Sequence, residues 1–456
     1  MRILSKNSTK RLGRPLDASK LIAIVFVLII LAGALLLMLP ISSRSGASAG
    51  VWTALFTAVS STCVTGLSLV DTWTQWSGFG QAVILGLIEI GGLGFMTAAS
   101  VIVFAFRRRM GMNQQMLIAQ SVGADGIGDI VRIQKRVLTV SLTTQLIGAI
   151  ILTVRFLDEF GFASALKIGV FHSVSAYCNA GFDIFGFDQP GTSIIRFGTD
   201  PTVCLTLALL IIFGGIGFLV WDEILRVRSP GKWSVYTKLV LITTVSLIVT
   251  GTIAFCIAEW SNPLTLGNMS FPQKLLAGFF QSVTVRTAGF AGIDQGGLTD
   301  AGKAISMFFM LIGGSSGSTA GGLKTVTFVI IILFLWSRVR GRDSVSVFSR
   351  TVSDKSVLDA LLLCGVMVML SFIGGTVICA TSNIGFTDGL YESVSALATV
   401  GLTTGVTQLL SVPSRILIMI YMYFGRVGIL TISLGFLRKK GSGQQYRYAQ
   451  TNLLIG

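Results

Sequence analysis

The stretch Phe280-Gln-Ser-Val-Thr-Val-Arg-Thr-Ala-Gly289 decides the fold, because versions of it occur four times in the chain. Each copy begins with an aromatic residue, continues to a Val followed by Ser or Thr, and reaches a glycine six or seven residues after that Val. The four glycines are Gly66, Gly181, Gly289 and Gly401, spaced by 108 to 115 residues. Such regular spacing indicates four copies of one structural unit.

The composition places these units in a lipid bilayer. Of the 456 residues, 52% are hydrophobic and 12% are charged, whereas about 25% of residues in soluble proteins are charged. Eight apolar runs approach or exceed the length that spans hydrocarbon, about 20 residues. Five are uncharged, namely 21–39, 137–154, 201–221, 239–258 and 360–380, and three contain one charge each, namely 79–106, 304–337 and 416–437.

Charged residues are distributed unevenly between alternate loops. Five segments hold 25 Lys/Arg and 8 Asp/Glu, whereas the intervening loops hold 8 Lys/Arg and 11 Asp/Glu. Basic loops face the cytoplasm, so both termini are predicted to be cytoplasmic. Orientation, not nucleic-acid binding, then explains the net charge of +15. The basic segments are 1–20, 107–136, 222–238, 338–359 and 438–456.

Between alternate spans lie apolar segments of about a dozen residues, which are too short to cross a bilayer and predict re-entrant pore helices. The predicted fold is therefore an all-α polytopic membrane protein, with eight transmembrane helices in four pseudo-fourfold helix–pore-loop–helix repeats around a central pore. The predicted units are the cytoplasmic N-terminus 1–20, repeats 21–110, 133–226, 237–340 and 356–438, and a cytoplasmic tail 439–456.

The four glycine-bearing segments, called the glycine loops below, are expected to form a cation-selectivity filter. Stacked backbone carbonyls can replace the hydration shell of a cation, and glycine reaches positive φ at little cost. A single glycine per loop predicts few ordered ion sites. The candidate residues are Thr62, Cys63, Val64, Thr65, Gly66, Cys178, Asn179, Ala180, Gly181, Arg286, Thr287, Ala288, Gly289, Thr399, Val400 and Gly401.

The predicted positions of charged residues around the filter follow from the sign of their charge. Because a pore-facing cation would repel a conducted cation, Arg286 is placed behind its loop, bonded to filter backbone or to a carboxylate. Acidic residues of the outer loops are expected to concentrate cations at the entrance. They are Asp71, Asp158, Glu159, Asp183, Asp188, Asp200, Asp294, Asp300, Asp388 and Glu392.

Two departures from the repeat are predicted to control the pore. The first is a Gly/Ser loop that breaks the third inner helix at membrane depth, together with Lys324. Its residues are Gly313, Gly314, Ser315, Ser316, Gly317, Ser318, Thr319, Ala320, Gly321 and Gly322. The second is Arg426. Each inner helix carries a glycine motif, called the waist, and Arg426 replaces its second glycine in the fourth repeat; the four motifs begin Gly91-Gly92, Gly214-Gly215, Gly313-Gly314 and Gly425-Arg426. A charge there needs partners, and Glu89 is the candidate counter-ion.

The sequences Val-Thr-Gly-Leu67, Cys-Asn-Ala-Gly-Phe-Asp183, Arg-Thr-Ala-Gly-Phe290 and Thr-Val-Gly-Leu402 resemble the filters of the Trk/Ktr/HKT superfamily of K⁺ transporters. The chain most closely resembles the bacterial KtrB-like (NtpJ-like) membrane subunit. That resemblance implies K⁺ uptake across the bacterial inner membrane, a homodimer contacting through residues 439–456, and gate roles for the Gly/Ser loop and Arg426.

The resemblance also implies a cytoplasmic ring of RCK-type nucleotide-binding partners. The chain itself has no Walker A or GxGxxG sequence, so no nucleotide site is expected in it. Membrane lipid is the remaining expected partner.

Alternatives remain at this point. The transported ion is predicted to be K⁺, with Na⁺ or NH₄⁺ as the alternative, because single-glycine loops need not discriminate strongly. One His, six scattered cysteines and no paired carboxylates within the spans argue against a membrane enzyme or a metal centre. Na⁺ dependence, and channel-like versus coupled transport, stay open.

Overall fold

A computed structural model of the chain describes residues 18–106, 127–187 and 190–428. The predicted tail 439–456, most of the segment 1–20 and the loop 107–126 lie outside these residues. The α-helices are α1 (Ala18–Met38), α2 (Val51–Thr62), α3 (Thr72–Gln75), α4 (Gly78–Phe106), α5 (Ile127–Tyr177), α6 (Pro201–Ile216), α7 (Phe218–Arg226), α8 (Val235–Glu259), α9 (Phe271–Thr284), α10 (Asp300–Leu311), α11 (Thr325–Val339), α12 (Asp354–Ser382), α13 (Phe386–Leu397) and α14 (Val412–Val427).

The remaining regular structure is short. Two two-residue strands, β1 (Ser346–Val347) and β2 (Arg350–Thr351), pair antiparallel between α11 and α12. They are a small departure from the predicted all-α fold. The 3₁₀ turns are Pro40–Ser42, Ile195–Phe197, Pro230–Lys232 and Thr407–Leu409.

Several helices are suited to crossing a bilayer by length and composition. Among the described residues, Gln134–Tyr177, Val235–Glu259 and Asp354–Ser382 are long and apolar enough to do so alone. Helices α6 and α7 would make a fourth span, bent by 89° where Gly217 adopts φ 99°. The shorter apolar helices are Ala23–Met38, Gly78–Leu93 and Thr325–Val339.

The same order of elements follows in each stretch that carries the repeated sequence. A long outer helix (α1, the first part of α5, α8 or α12) precedes a short pore helix (α2, the second part of α5, α9 or α13). In α5 the two parts meet at Gly161, where φ is 71°. A glycine loop follows, and then an inner helix, which is α4, α6 with α7, α10 with α11, or α14.

Packing between these stretches is cyclic. The inner helix α4 packs against α5 of the next stretch, α6 against the pore helix α9, and α10 against the pore helix α13. The last inner helix, α14, packs against the first pore helix, α2, and so closes the ring. The four pore helices therefore surround one axis.

Side-chain burial differs from that in a soluble protein in two ways. Large apolar side chains on the outer helices are exposed, among them Leu35 at 66% and Ile257 at 76%. Polar side chains of the pore helices, such as Ser60 and Ser395, are fully buried at 0%. Apolar exteriors are stable only against lipid, so the fold is that of a multi-pass membrane protein.

Candidate functional site

The four glycines of the repeats meet at one place. A Cβ added to Gly66 would lie 3.2 Å from the Cα of Gly181, and one on Gly181 would lie 2.7 Å from the Cα of Gly289. A Cβ on Gly289 would lie 3.3 Å from Gly401 Cα, and one on Gly401 would lie 3.0 Å from Gly66 Cα. Each glycine thus abuts the next around a closed ring in which a side chain has no room.

Each glycine loop uses two residues with positive φ. The glycines have φ values between 69° and 100°, and the residue two positions earlier has φ between 53° and 67°. Separating two left-handed residues by an ordinary one allows successive carbonyls to point the same way. The non-glycine members are Val64, Asn179, Thr287 and Thr399. Sequence patterns do not reveal Val64, Thr287 and Thr399, since β-branched residues seldom adopt positive φ.

Hydroxyls of the pore helices hold the glycine loops. The Ser or Thr that follows the repeated Val hydrogen-bonds its own loop in every repeat, a role that the sequence analysis missed although the residue type recurs. Ser60 and Ser395 each accept from the backbone N–H of the loop glycine at 3.1 Å. Ser175 and Thr284 each donate at 2.7 Å to the carbonyl of the Phe after the glycine.

A cavity of about 170 Å³ lies on the outer side of the ring, and all four loop glycines line it. Three carboxylates, those of Asp71, Asp183 and Asp294, also line it. Burial, reinforced by the Asp71 carboxylate, raises the pKa of Asp183 to about 7. Negative charge at this mouth favours cations over anions.

Other outer acidic residues have different roles from the predicted cation attraction. Asp200 pairs with Arg155 at 2.6 Å, and Asp388 pairs with Lys303 at 2.8 Å. Glu392 lies fully buried in α13. Three of the predicted acidic residues therefore line the cavity, and Asp188 lies outside the described residues.

The Gly/Ser loop separates α10 from α11 and folds back on itself. The N–H of Gly313 donates to the carbonyl of Leu323 at 2.9 Å, and the N–H of Leu323 donates to Leu311 at 3.0 Å. Lys324 donates through Nζ to the carbonyl of Ala320 at 2.8 Å. The loop is therefore a compact, hydrogen-bonded turn.

This loop contacts the bases of neighbouring glycine loops. Thr319 donates through Oγ1 to the carbonyl of Tyr177, at the end of the second pore helix, at 3.2 Å. A Cβ on Gly321 would meet the hydroxyl of Thr399 in the fourth glycine loop. The N–H of Ser315 donates to Gly215 at 3.0 Å. The Gly/Ser loop thus lies under the ring, on the side opposite the outer cavity.

Arg426 joins the Gly/Ser loop to the first inner helix. Its Nη1 donates to the carbonyl of Thr319, and its Nη2 donates to the carbonyls of Gly91 and Gly92, the latter at 3.0 Å. The guanidinium is satisfied by backbone oxygens, which is how a charge at this depth becomes tolerable.

The prediction that Glu89 is the counter-ion of Arg426 is wrong. Among the described side chains these two residues form no ion pair, and Glu89 Oε2 accepts instead from Gln145 Nε2 at 3.0 Å and from Cys178 Sγ at 3.3 Å. Equal depth along two helices did not bring the side chains to the same face. Glu89 therefore lies behind the second glycine loop.

Arg286 lies behind the third glycine loop, as expected, but its partner differs from both candidates. It is 8% exposed and donates through Nη2 to the carbonyl of Gly313 at 3.3 Å. That acceptor belongs to the Gly/Ser loop, and among the described residues no bond from Arg286 to filter backbone or to a carboxylate is found. The third glycine loop and the Gly/Ser loop are thereby linked directly.

Waist glycines allow inner helices to contact the ends of pore helices. A Cβ at Gly91, Gly214 or Gly425 would collide with the carbonyl of Thr62, Tyr177 or Leu397, respectively. In the third repeat the corresponding Gly313 packs against Gly321 within the Gly/Ser loop. The first, second and fourth inner helices thus support the ring directly, and the third supports it through the Gly/Ser loop.

Comparison with known proteins agrees with this geometry. The sequence model of the TrkH family, described as a cation transport protein, matches residues 16–448. The chain is 37% identical over 452 residues to the potassium/sodium uptake protein NtpJ of Enterococcus hirae, covering 98% of this chain and 99% of the relative. It is 38% identical over 428 residues to the Ktr system potassium uptake protein B of Bacillus subtilis, covering 94% of each.

A solved structure resembles the fold. The potassium transporter TrkH from Vibrio parahaemolyticus superimposes with a TM-score of 0.70 at 16% identity, over 94% of this chain and 86% of that chain. At that level of identity the likeness concerns the arrangement of the helices alone.

Proposed function

The chain belongs to the TrkH family of cation transport proteins, and from that premise we propose that it carries K⁺ into the cell through the ring of four glycine loops. The family consists of transporters and not enzymes, and the resemblance to the Trk/Ktr/HKT superfamily is confirmed. The observation that carries the proposal is the closed ring formed by Gly66, Gly181, Gly289 and Gly401.

The proposed selectivity filter consists of the backbone of these loops. Paired positive-φ residues support the orientation of their carbonyls toward the axis, where they would replace water around a K⁺ ion. Among the described residues no group of three His, Cys, Asp or Glu could hold a metal ion.

The proposed arrangement in the membrane has eight spans in four repeats, with both termini in the cytoplasm. The cyclic packing of inner helices on pore helices supports the repeats, and the basic alternate loops support the orientation. A bacterial inner membrane is the proposed location.

The proposed gate is the Gly/Ser loop held by Arg426. The loop contacts the bases of the second and fourth glycine loops, and Arg286 links it to the third. Arg426 adds a positive charge and a bond to Thr319 on the same side of the ring. A hydrogen-bonded loop with a neighbouring cation would obstruct K⁺ leaving the filter.

Opening is proposed to depend on a cytoplasmic nucleotide-binding regulatory subunit of the RCK type, acting on a homodimer of this chain. Support comes from the relative named as part of a Ktr system and from the lack of nucleotide-binding motifs in this chain. Multi-angle light scattering of the solubilised full chain tests the dimer, which requires twice the chain mass of 48.6 kDa.

Ion competition in proteoliposomes tests the transport proposal. Purified full chain is reconstituted, and K⁺ uptake is measured with equal concentrations of Na⁺ or NH₄⁺ present. We expect K⁺ uptake that neither ion inhibits strongly. Equal uptake of all three cations would contradict the K⁺ assignment.

Na⁺ conduction is the second candidate. It is favoured by the relative of Enterococcus hirae, whose name includes sodium uptake, and by the single glycine in each loop. Uptake of ²²Na⁺ that persists at saturating K⁺ would support it.

A further inference from the structure

One position of the repeat carries a buried polar side chain in all four pore helices. It is the residue directly after the aromatic residue that begins each copy, and its side chain is no more than 1% exposed in every repeat. Burying a polar group is costly unless it is hydrogen-bonded, so its partners indicate its role. The four residues are Thr57, His172, Gln281 and Glu392.

In the third repeat this residue, Gln281, hydrogen-bonds the segment that follows the glycine loop. Gln281 and Gln295 form a reciprocal amide pair, with Nε2 to Oε1 distances of 2.8 and 3.1 Å. Tyr391, the aromatic residue of the fourth repeat, donates to Gln295 Oε1 at 3.0 Å. Gln295 lines the outer cavity, so two pore helices together hold one part of its wall.

In the fourth repeat the equivalent residue is a carboxylate with the same kind of partner. Glu392 accepts from the hydroxyl of Thr403, and from that of Thr407 at 3.2 Å through Oε1 and 3.1 Å through Oε2. Thr403 and Thr407 follow Gly401 and both line the outer cavity. The fourth pore helix is thus bonded to the segment that follows its own glycine loop.

His172 forms a similar bond in the second repeat. Its Nδ1 lies 2.8 Å from the carbonyl of Ile168, an acceptor, so Nδ1 carries the proton. Its Nε2 then accepts from the N–H of Ile184, three residues beyond Gly181, at 3.4 Å. The imidazole of His172 also packs against the phenyl ring of Phe185, with ring centroids 4.3 Å apart.

The first repeat differs. Among the described residues the Oγ1 of Thr57 has no hydrogen-bond partner. This position of the repeat therefore bonds the segment after the glycine loop in three repeats, and no such bond from Thr57 is found among the described residues of the first.

We propose that Gln281, Glu392 and His172 are positioning residues that set ion selectivity by holding the outer end of the ring at a fixed width. This inference rests on the proposed function, because it assigns selectivity to the same loops. A ring held at a fixed width cannot contract around a smaller ion such as Na⁺, so K⁺ keeps the better coordination. Thr57, which lacks the corresponding hydrogen bond among the described residues, serves as the position for a control substitution.

The experiment compares Gln281→Met and Glu392→Met with the matched control Thr57→Val, all in the full chain in proteoliposomes. The readout is the ratio of the KM for Na⁺ to the KM for K⁺. We expect the ratio to fall about fivefold in both Met variants, as for the loss of one buried hydrogen bond, and to stay unchanged in Thr57→Val. A general loss of packing would lower the maximal rate in every variant without changing the ratio.

A second measurement separates this inference from the transport proposal. The ratio of the Na⁺ to the K⁺ concentration that half-maximally raises the unfolding temperature reports selective binding without transport, and should fall about fivefold in Gln281→Met. If the wild type moves no K⁺ but binding shows this pattern, the transport proposal fails and the inference stands. If the wild type selects K⁺ and Gln281→Met matches Thr57→Val, the inference fails and the transport proposal stands.

Poor folding of a single variant is addressed by changing both partners. Gln281→Met combined with Gln295→Met removes both members of the amide pair, so neither amide is left buried without the other, and the Tyr391 hydroxyl loses its bond to Gln295. We expect this double variant to have the lowered selectivity ratio. A wild-type ratio in the folded double variant overturns the proposal.

Discussion

Arg426 donates a hydrogen bond to the backbone carbonyl of Thr319, so the fourth inner helix holds the middle of the Gly/Ser loop. The same guanidinium bonds the carbonyl of Gly92 in the first inner helix. A loop of the third repeat is therefore held by the fourth and the first repeats at once. The proposed gate would require a second arrangement in which these bonds are released.

Arg426→Ala is expected to increase K⁺ flux measured without the regulatory subunit. Hydrogen bonds to charged groups contribute about 1.5–3 kcal/mol, so releasing the loop should raise the open fraction about tenfold or more. Deleting residues 313–322 should act in the same direction. The measurement is ⁸⁶Rb⁺ uptake into proteoliposomes.

The matched control for this change is Arg415→Ala. Arg415 lies on the same helix, and within the described part of the chain its side chain bonds the carbonyl of Leu410, at 2.7 Å, and not the Gly/Ser loop. Its flux should equal that of the wild type. Unchanged or lower flux in well-folded Arg426→Ala would count against the gate.

Gly289→Ala is expected to abolish most K⁺ uptake. Gly289 has φ 80°, and an added Cβ would lie 2.7 Å from the carbonyl oxygen of Val400 in the next loop. The left-handed conformation alone costs an alanine about 1–2 kcal/mol, and relieving the clash displaces a proposed K⁺ ligand. Gly365→Ala in α12, where a Cβ meets nothing within 4 Å, should retain uptake. Wild-type uptake by Gly289→Ala would contradict the proposed filter.

Ser395→Ala and Ser393→Ala separate support of the filter from stability. Both hydroxyls are buried in α13 and each makes one hydrogen bond, Ser395 with the N–H of Gly401 and Ser393 with the carbonyl of Ser371. Each variant should lose about 1 kcal/mol of stability. Only Ser395→Ala should lower the preference for K⁺ over Na⁺ in ion competition. Equal selectivity in the two variants would show that the hydroxyl does not hold the loop.

Glu89 should couple energetically to Gln145 and not to Arg426. Residues that share a hydrogen bond show interaction energies of about 0.5–3 kcal/mol in double-mutant cycles, whereas residues without shared partners are additive. The cycles use Glu89→Leu with Gln145→Leu, and Glu89→Leu with Arg426→Ala. Unfolding of the purified chain is the readout. Strong coupling of Glu89 to Arg426 would restore the counter-ion hypothesis.

Sequence reasoning located the glycines of the ring because their role is local. A backbone at positive φ with no room for a Cβ calls for glycine in any repeat, and four copies make the signal visible. It did not find Val64 or Thr399 as left-handed residues, because their own identities disfavour that conformation. The surrounding bonds impose it, including the bond from Ser60 to the N–H of Gly66.

Pairing of charged side chains could not be predicted in the same way. Glu89 and Arg426 stand at matching levels of two inner helices, yet helix rotation directs Glu89 toward Gln145. Arg286 was expected behind its loop, but its acceptor is the carbonyl of Gly313, 27 residues away. A particular backbone carbonyl acceptor cannot be predicted from the sequence, since every residue supplies one.

The sequence by itself determined that the chain is a membrane protein with a repeated unit and one glycine per loop, because hydropathy, charge distribution and conformational preference are properties of the residues. The tertiary structure decided that the four loops close into one ring, that the Gly/Ser loop lies beneath it, and that Arg426 holds that loop. Those contacts join residues far apart in the sequence, such as Arg426 and Thr319, which are 107 positions apart, and only the packing of whole helices sets which side chain meets which carbonyl.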